Sequence, residues 1–438
     1  MKRKKWLTLL LLAALCFQLA ACSTARVDDT PEPGGKDTEQ PSTQNSADDI
    51  QPGTSEPEKP SGNPGIALTG NGEAREPDAA FAAASAAFAA TLLKNAAKGE
   101  NTVISPYSVQ IALAMTANGA SGDTLAQMEQ ALGLPVQQLN AYLLACGKKN
   151  AEEFAAANAL WLREGFPVSE DFLRTDRDYY GAEINSTPFN AATRNAINDW
   201  VNDQTKGRIK KILDEMDPDA VMYLVNALAF SATWQKEYIA TDVKKEPFHA
   251  ASGDIQAKLM YSDEYWYLRD KNTVGFLKNY ENDRFCYAVL MPQEGTSLDD
   301  YVDSLTGEKL TALMANASQE KIHAVMPKFT TEYSIELGAV LQTIGMTDAF
   351  DKYKADFSAM SPKAKENFLR IGRVLHKTFL QVNETGTEAA AATAVEMIAE
   401  STAIPQECKT VRVDRPFVCG IYDREMQCFL FLGAIYTV

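Results

Sequence analysis

From Ala79 to Val438 the chain runs as unbroken globular sequence, with no long linker at which to divide it. Stretches at helical spacing alternate there with short apolar runs. In "AAFAAASAAFAATLLKNAAKG", Phe81, Phe88 and Leu92 share one face and a Lys-Gly pair closes the stretch, which predicts an amphipathic helix. "SPYSVQIALAMTANGASGDT" opens with Ser105-Pro106, a helix entry, and should run to Gly119. "NAATRNAINDWVNDQTKGRIKKIL" sets Ile197, Trp200 and Val201 at i, i+3, i+4 and closes at Lys206-Gly207. The runs "AVMYLVNALAF", "FCYAVLMP", "KIHAVMPKF", "FVCGIY" and "CFLFLGAIY" each read as a buried strand. No repeat period appears. These features predict one large mixed α and β domain over residues 79–438.

Before Ala79 the character changes twice. "MKRKKWLTLLLLAALCFQLAAC" has a basic head, an apolar run too short for a membrane span, and small residues ending at Cys22. Residues 1–21 read as a lipoprotein signal peptide, and Leu19-Ala20-Ala21-Cys22 resembles a bacterial lipobox with Cys22 as the lipidated residue. The competing reading is an ordinary signal peptide with a cysteine at its end. Residues 22–78 would then be the lipidated N-terminus and a disordered tether, rich in Pro, Gly, Ser, Thr and acids and poor in large apolar residues. The expected address is the cell surface, on the extracellular face of a bacterial membrane. The net charge is -16, and removing Lys2, Arg3, Lys4 and Lys5 with the leader lowers it to -20. That balance argues against a nucleic-acid partner.

Catalytic chemistry is hard to find. The three histidines, His249, His323 and His376, form no HExxH pair, and neither a GxSxG elbow nor a GxxxxGK[ST] loop occurs. "DRDYYGAEINST" superficially suggests a calcium loop, but Thr187 stands where a bidentate Glu is needed. Seven cysteines, Cys16 and Cys22 among them, show neither zinc spacing nor a disulfide framework. Cys286, Cys419 and Cys428 sit in apolar runs and read as core residues. No metal or cofactor is expected.

One stretch resists assignment. "NETGTEAAAATAVEMIAE", from Asn383, mixes four alanines suited to a helix with Thr, Val and Ile suited to a strand. Glu384, Glu388, Glu396 and Glu400 are spaced by multiples of four, which lines one face of either element.

Eight segments, in order, carry a resemblance over essentially all of residues 79–438: "NTVISPYSVQIALAMTANGASGDT", "INDWVNDQTKGRI", "LVNALAFSATW", "MPKF", "IGMTDAF", "ADFSAM", "HKTFLQVNETGTEAAAAT" and "VRVDRPFVCGI". The chain closely resembles the serpin family. The resemblance implies an α+β fold: a single large domain of three β-sheets surrounded by about nine helices, with an exposed reactive-centre loop. It also implies a protease inhibitor rather than an enzyme, monomeric, whose cleaved loop inserts as a new central strand of the largest sheet and traps an extracellular serine protease. Carried onto this chain, the hinge is Glu384, Gly386, Thr387, Glu388, Ala389, Ala390, Ala391, Ala392 and Thr393. Ser105, Ser108, Asn226 and His376 match the polar cluster beneath the sheet centre, the shutter. Trp234 and Lys328, with Glu384, match the breach where insertion starts.

Counting sixteen residues from Glu384 puts the reactive bond at Glu400-Ser401, with Ala399, Thr402 and Ala403 as neighbouring alternatives. Counting back from "DRPF" reaches Pro405 instead. Glu400 suits a glutamyl endopeptidase, whereas its small neighbours suit elastase-like or subtilisin-like enzymes. Insertion requires alternate residues to face the core: Thr387, Ala389, Ala391, Thr393, Val395, Met397 and Ala399. New backbone hydrogen bonds, ~1 kcal/mol each, are nearly offset by backbone ordering of similar size. Burial of Val395 and Met397, roughly 1.5–3 kcal/mol each, then joins relief of strain as the driving force.

Three departures from the family stand out. The stretch from Leu134 to Asn158 is about twenty residues shorter than in animal serpins, which predicts no glycosaminoglycan switch. Cys419-Gly420 should interrupt an apolar strand, and a Pro common near the C-terminus is absent. Two further functions compete: a non-inhibitory serpin acting as a binding or adhesion module, and a lipid-anchored solute-binding protein with a small-ligand cleft.

Overall fold

The structure is a computed structural model that describes residues 72–149, 153–387 and 408–438. Its first helices are α1 (Ala79–Ala96), α2 (Pro106–Ala117), α3 (Gly122–Leu132) and α4 (Val136–Lys148). They are followed by α5 (Glu170–Tyr180), α6 (Ala191–Gln204), α7 (Leu298–Asp303), α8 (Gly307–Ala315) and α9 (Gly338–Thr343). The strands begin with β1 (Thr102–Ile104), β2 (Phe154–Arg163), β3 (Glu183–Thr187), β4 (Met222–Phe230) and β5 (Ala232–Thr233). Next come β6 (Val243–Ala250), β7 (Gly253–Arg269), β8 (Thr273–Asn279), β9 (Phe285–Pro292), β10 (Ser318–Pro327) and β11 (Phe329–Glu336). The last are β12 (Leu375–Val382), β13 (Gly386–Thr387), β14 (Lys409–Arg412), β15 (Phe417–Asp423) and β16 (Cys428–Ile435).

Local chemistry sets the helix ends. Asp78 caps α1 by accepting from the Ala80 and Phe81 amides. The Tyr142 hydroxyl, its strongest partner, pulls the Asp78 carboxyl down to about 2. Phe81, Phe88 and Leu92 are all buried, as their spacing predicts. Ser105 caps α2 with its hydroxyl and Pro106 occupies the first turn. α2 is buried almost all round, which fits its lack of a polar face. It ends at Ala117, just short of Gly119.

The strands form three sheets among the described residues. The largest follows the order β1-β16-β15-β9-β8-β7-β10-β14, with β6 added on β7. β9 and β16 are buried at every position because both faces of this sheet are covered, so they read as continuous apolar runs. A four-stranded sheet runs β11-β12-β13-β5, and a three-stranded sheet runs β3-β2-β4. α6 lies on the last of these, with Ile197, Trp200 and Val201 packed against Ala159, Trp161 and Val225.

Two readings of the sequence need correcting. "KIHAVMPKF" is not one strand: β10 ends at Pro327 and β11 begins at Phe329 in a different sheet, so the chain changes sheet at Lys328. Gly420 does not interrupt its strand, because β15 runs through it with partners Leu432 and Ala288. A Cβ there would sit 2.7 Å from the Phe431 carbonyl oxygen and 2.8 Å from the Phe429 ring. The glycine therefore admits a close approach. Cys286, Cys419 and Cys428 are buried free thiols, and Cys146 joins them.

Candidate functional site

β4 and β5 are one strand line broken only at Ser231, yet they belong to different sheets. The reason is a gap. Among the described residues no strand pairs with β4 on the side that faces β12. Between them lies a cavity of about 520 Å³ lined by residues of both strands, Leu224, Asn226 and Leu228 on one side and Leu375, His376 and Thr378 on the other. The sequence reading puts insertion into the largest sheet, whereas this groove lies between the four-stranded and three-stranded sheets. The nine-stranded sheet has more strands than these two sheets, of four and three, taken together.

The N-terminus of α2 bridges the floor of the groove. The Ser105 amide donates to His376 Nε2 on β12 at 3.0 Å. The Ser108 hydroxyl donates to Asn226 Oδ1 on β4. Its amide donates to Ser105 Oγ at 3.2 Å, which closes the cap. All four residues assigned to the shutter therefore meet. Burial pulls His376 down to about 4, so the ring is neutral near pH 7 with its Nε2 free to accept. Two further members were missed from sequence. Asn158 Oδ1 accepts from Asn226 Nδ2 at 2.7 Å, and Thr378 donates to the Val103 carbonyl at 2.6 Å.

At the top of the groove two hinge residues, Gly386 and Thr387, are already seated. Thr387 pairs with Val382 of β12 and with Ala232 of β5, and Gly386 pairs with Thr233. Thr387 faces the core, as the alternation requires, with 2% exposure, and its hydroxyl meets that of Tyr280. It was expected to lead insertion after cleavage, yet the uncleaved chain has it in place. A Cβ on Gly386 would fall 2.0 Å from the Ala232 carbonyl oxygen, so only glycine fits this rung. Asn383 Oδ1 accepts from the Thr385 and Gly386 amides and shapes the turn.

The breach residues hold that turn from outside. Trp234 donates from its backbone to the Thr385 carbonyl and from Nε1 to the Asn383 carbonyl, both at 2.9 Å. The Lys328 ammonium donates to Glu384 Oε2 at 2.6 Å. Burial opposes ionisation of Glu384 most strongly, but the Lys328 hydrogen bond, a backbone hydrogen bond and the Lys328 and Lys258 charges together hold the carboxyl below its usual range. Tyr280 and Asn383 were not singled out from sequence. Tyr280 stacks on Trp234 with ring centroids 4.5 Å apart, a contact no local spacing announces.

Glu388, Ala389, Ala390, Ala391, Ala392 and Thr393 of the hinge, Ala399, Glu400, Ser401, Thr402 and Ala403 around the reactive bond, and Cys22 lie outside the described residues. Among the described residues no group of three or more His, Cys, Asp or Glu could hold a metal ion.

Comparison with known proteins matches this geometry to a family. The family model described as "Serpin (serine protease inhibitor)" matches residues 83–438. This chain belongs to the serpin family. A solved structure of tengpin, a thermophilic serpin in its native state, superposes with a TM-score of 0.79 at 39% identity, covering 84% of this chain and 97% of that one. The leukocyte elastase inhibitor of Bos taurus is 34% identical over 76% of this chain and 92% of its own. An uncharacterized serpin-like protein of Thermococcus kodakarensis is 33% identical over 77% of this chain and 81% of its own.

Proposed function

We propose that this serpin is a single-use inhibitor of extracellular serine proteases, held at a bacterial surface through a lipid on Cys22. The observation that carries the reading is the parted sheet with its first two loop residues already seated at one end. The protease serine oxygen adds to the carbonyl carbon of the bait residue, placed at Glu400. The bond to the Ser401 nitrogen breaks, and the new amine leaves with a proton. The protease is then an ester on the freed loop. Growth of the strand from Thr387 down the groove carries that ester away from where it formed and distorts the enzyme. Small residues after Thr387 favour entry, and the family's inhibitors support it as a general role.

Glu400 points to a glutamyl endopeptidase, and Ala399, Thr402 or Ala403 to an elastase-like or subtilisin-like enzyme. The test is incubation with a panel of serine proteases of these types, followed by denaturing gels and sequencing of the released C-terminal peptide. An SDS-resistant adduct, with a peptide beginning at Ser401, supports the reading. Clean cleavage without adduct supports the non-inhibitory binding role instead.

A further inference from the structure

Behind the hinge lies an ion pair that the insertion scheme leaves unused. Lys278 on β8 is a lysine with only 1% of its side chain exposed. Its ammonium donates to Glu264 Oε1 on β7 at 2.7 Å and to the Lys236 carbonyl at 3.0 Å. It also lies 4.5 Å from the Tyr238 ring and 5.4 Å from the Trp234 ring. Glu264 Oε1 accepts as well from the Ser262 hydroxyl at 2.7 Å, and Ser262 meets the Tyr238 hydroxyl at 3.2 Å. Every one of these contacts is made with residues 234–238 or supports them.

That same segment grips the hinge. The Trp234 amide, the Trp234 indole and the Tyr238 amide each donate, at 2.9 Å, to a carbonyl among residues 383–385. A buried ion pair is weak evidence for stability, since desolvation offsets much of its attraction. Burial indeed pulls the Lys278 ammonium below its usual value while Glu264 opposes the change. Stability alone therefore gives little reason to place a lysine here, whereas its reach to the Lys236 carbonyl and two rings fixes one short segment.

We infer that Lys278, paired with Glu264, is a positioning residue that keeps Gly386 and Thr387 seated in register, so that strand growth outruns hydrolysis of the trapped ester. This rests on the insertion reading above. Hydrolysis is the competing branch: water adds to the ester carbonyl, the ester C–O bond breaks, and the protease leaves with its hydroxyl restored. A seated first rung lets the strand extend at once. An unseated hinge has to nucleate, and the protease escapes in the interval.

Two variants test this, Lys278→Met and the pair Glu264→Leu with Lys278→Met. The pair removes both charges together, which a buried site tolerates far better than one orphaned carboxylate. The loop is nicked with subtilisin, and protection of the β4 and β12 amides is followed by pulsed hydrogen exchange. The inference expects protection to appear about tenfold more slowly in the pair, the effect of ~1.4 kcal/mol on a barrier, with the final heat resistance of the nicked form unchanged. Protection appearing at the wild-type rate in the pair overturns it, whether or not Lys278→Met folds. Adduct yield with a glutamyl endopeptidase is a separate readout. A wild-type chain that forms no adduct with any protease of the panel above refutes the proposed function, while the exchange rates still decide the role of Lys278.

Discussion

Gly386→Ala is the smallest change that should disable the mechanism. The added Cβ would lie 2.0 Å from the Ala232 carbonyl oxygen and 2.9 Å from the Thr233 Cα. The first distance is more than 1 Å short of the ~3.3 Å at which carbon and carbonyl oxygen meet. Both neighbours are backbone, so no rotamer relieves the overlap. β13 has to leave β5, which removes the rungs Gly386 to Thr233 and Thr387 to Ala232 and draws Thr387 away from Tyr280. At about 1 kcal/mol for each interaction, the seated state loses ~2–3 kcal/mol, on the order of a hundredfold in population. Restricting the unfolded chain returns only ~0.4–1 kcal/mol, so the loss prevails. The assay is the ratio of SDS-resistant adduct to cleaved, unattached inhibitor after reaction with the target protease. We expect cleavage at the wild-type rate and adduct reduced to a small fraction. Adduct yield equal to wild type would refute the claim that a seated hinge is needed.

Three other predictions probe separate parts of the argument. Ala389→Glu places a charge two residues beyond the inward-facing Thr387, on the same face, at a cost of several kcal/mol on burial; adduct should vanish on the gel, while Ala390→Glu, on the opposite face, should keep it. His376 has a folded-state value of about 4 against a usual 6.5, so the unfolded chain binds the extra proton between these values. Stability should therefore be constant above pH 6.5 and fall by up to ~3 kcal/mol as the pH drops to 4; in His376→Gln, thermal midpoints measured across that range should lose this dependence. Arg284 donates to the fully buried Asp423 at 2.6 Å, so Arg284→Met should cost roughly 3–5 kcal/mol by stranding the carboxylate, a loss chemical denaturation would register.

What the sequence made readable was local, and what it hid was long-range. Capping residues and apolar spacing placed α1, α2 and α6 to within a few residues, because those signals lie inside one helix. Continuous apolar runs revealed β9, β15 and β16 for the same reason. The family resemblance supplied Ser105, Ser108, Asn226 and His376, and the structure brings all four together. It did not supply Tyr280, which meets Thr387 across 107 positions of chain, or Lys278, whose partners lie on β7 and in residues 234–238. No periodicity connects such residues. The parting of β4 from β12 was equally invisible, since the period-two burial of β12, with His376, Thr378, Leu380 and Val382 inward, is the same whether its edge is paired or waiting. The stretch from Asn383 was ambiguous between helix and strand. Of its described residues, Asn383 to Thr387, only Gly386 and Thr387 are strand, and the three before them form the turn.

The central claim is that the groove between β4 and β12 receives the cleaved loop. A crystal structure of the chain nicked at its reactive bond tests it directly. Extending the pairing of Thr387 with Val382, the account predicts a new strand between β4 and β12 with Ala389 opposite Leu380 and Thr393 opposite His376. A nicked chain in which β4 and β12 close on each other, or in which the groove stays empty with the loop outside, would contradict it.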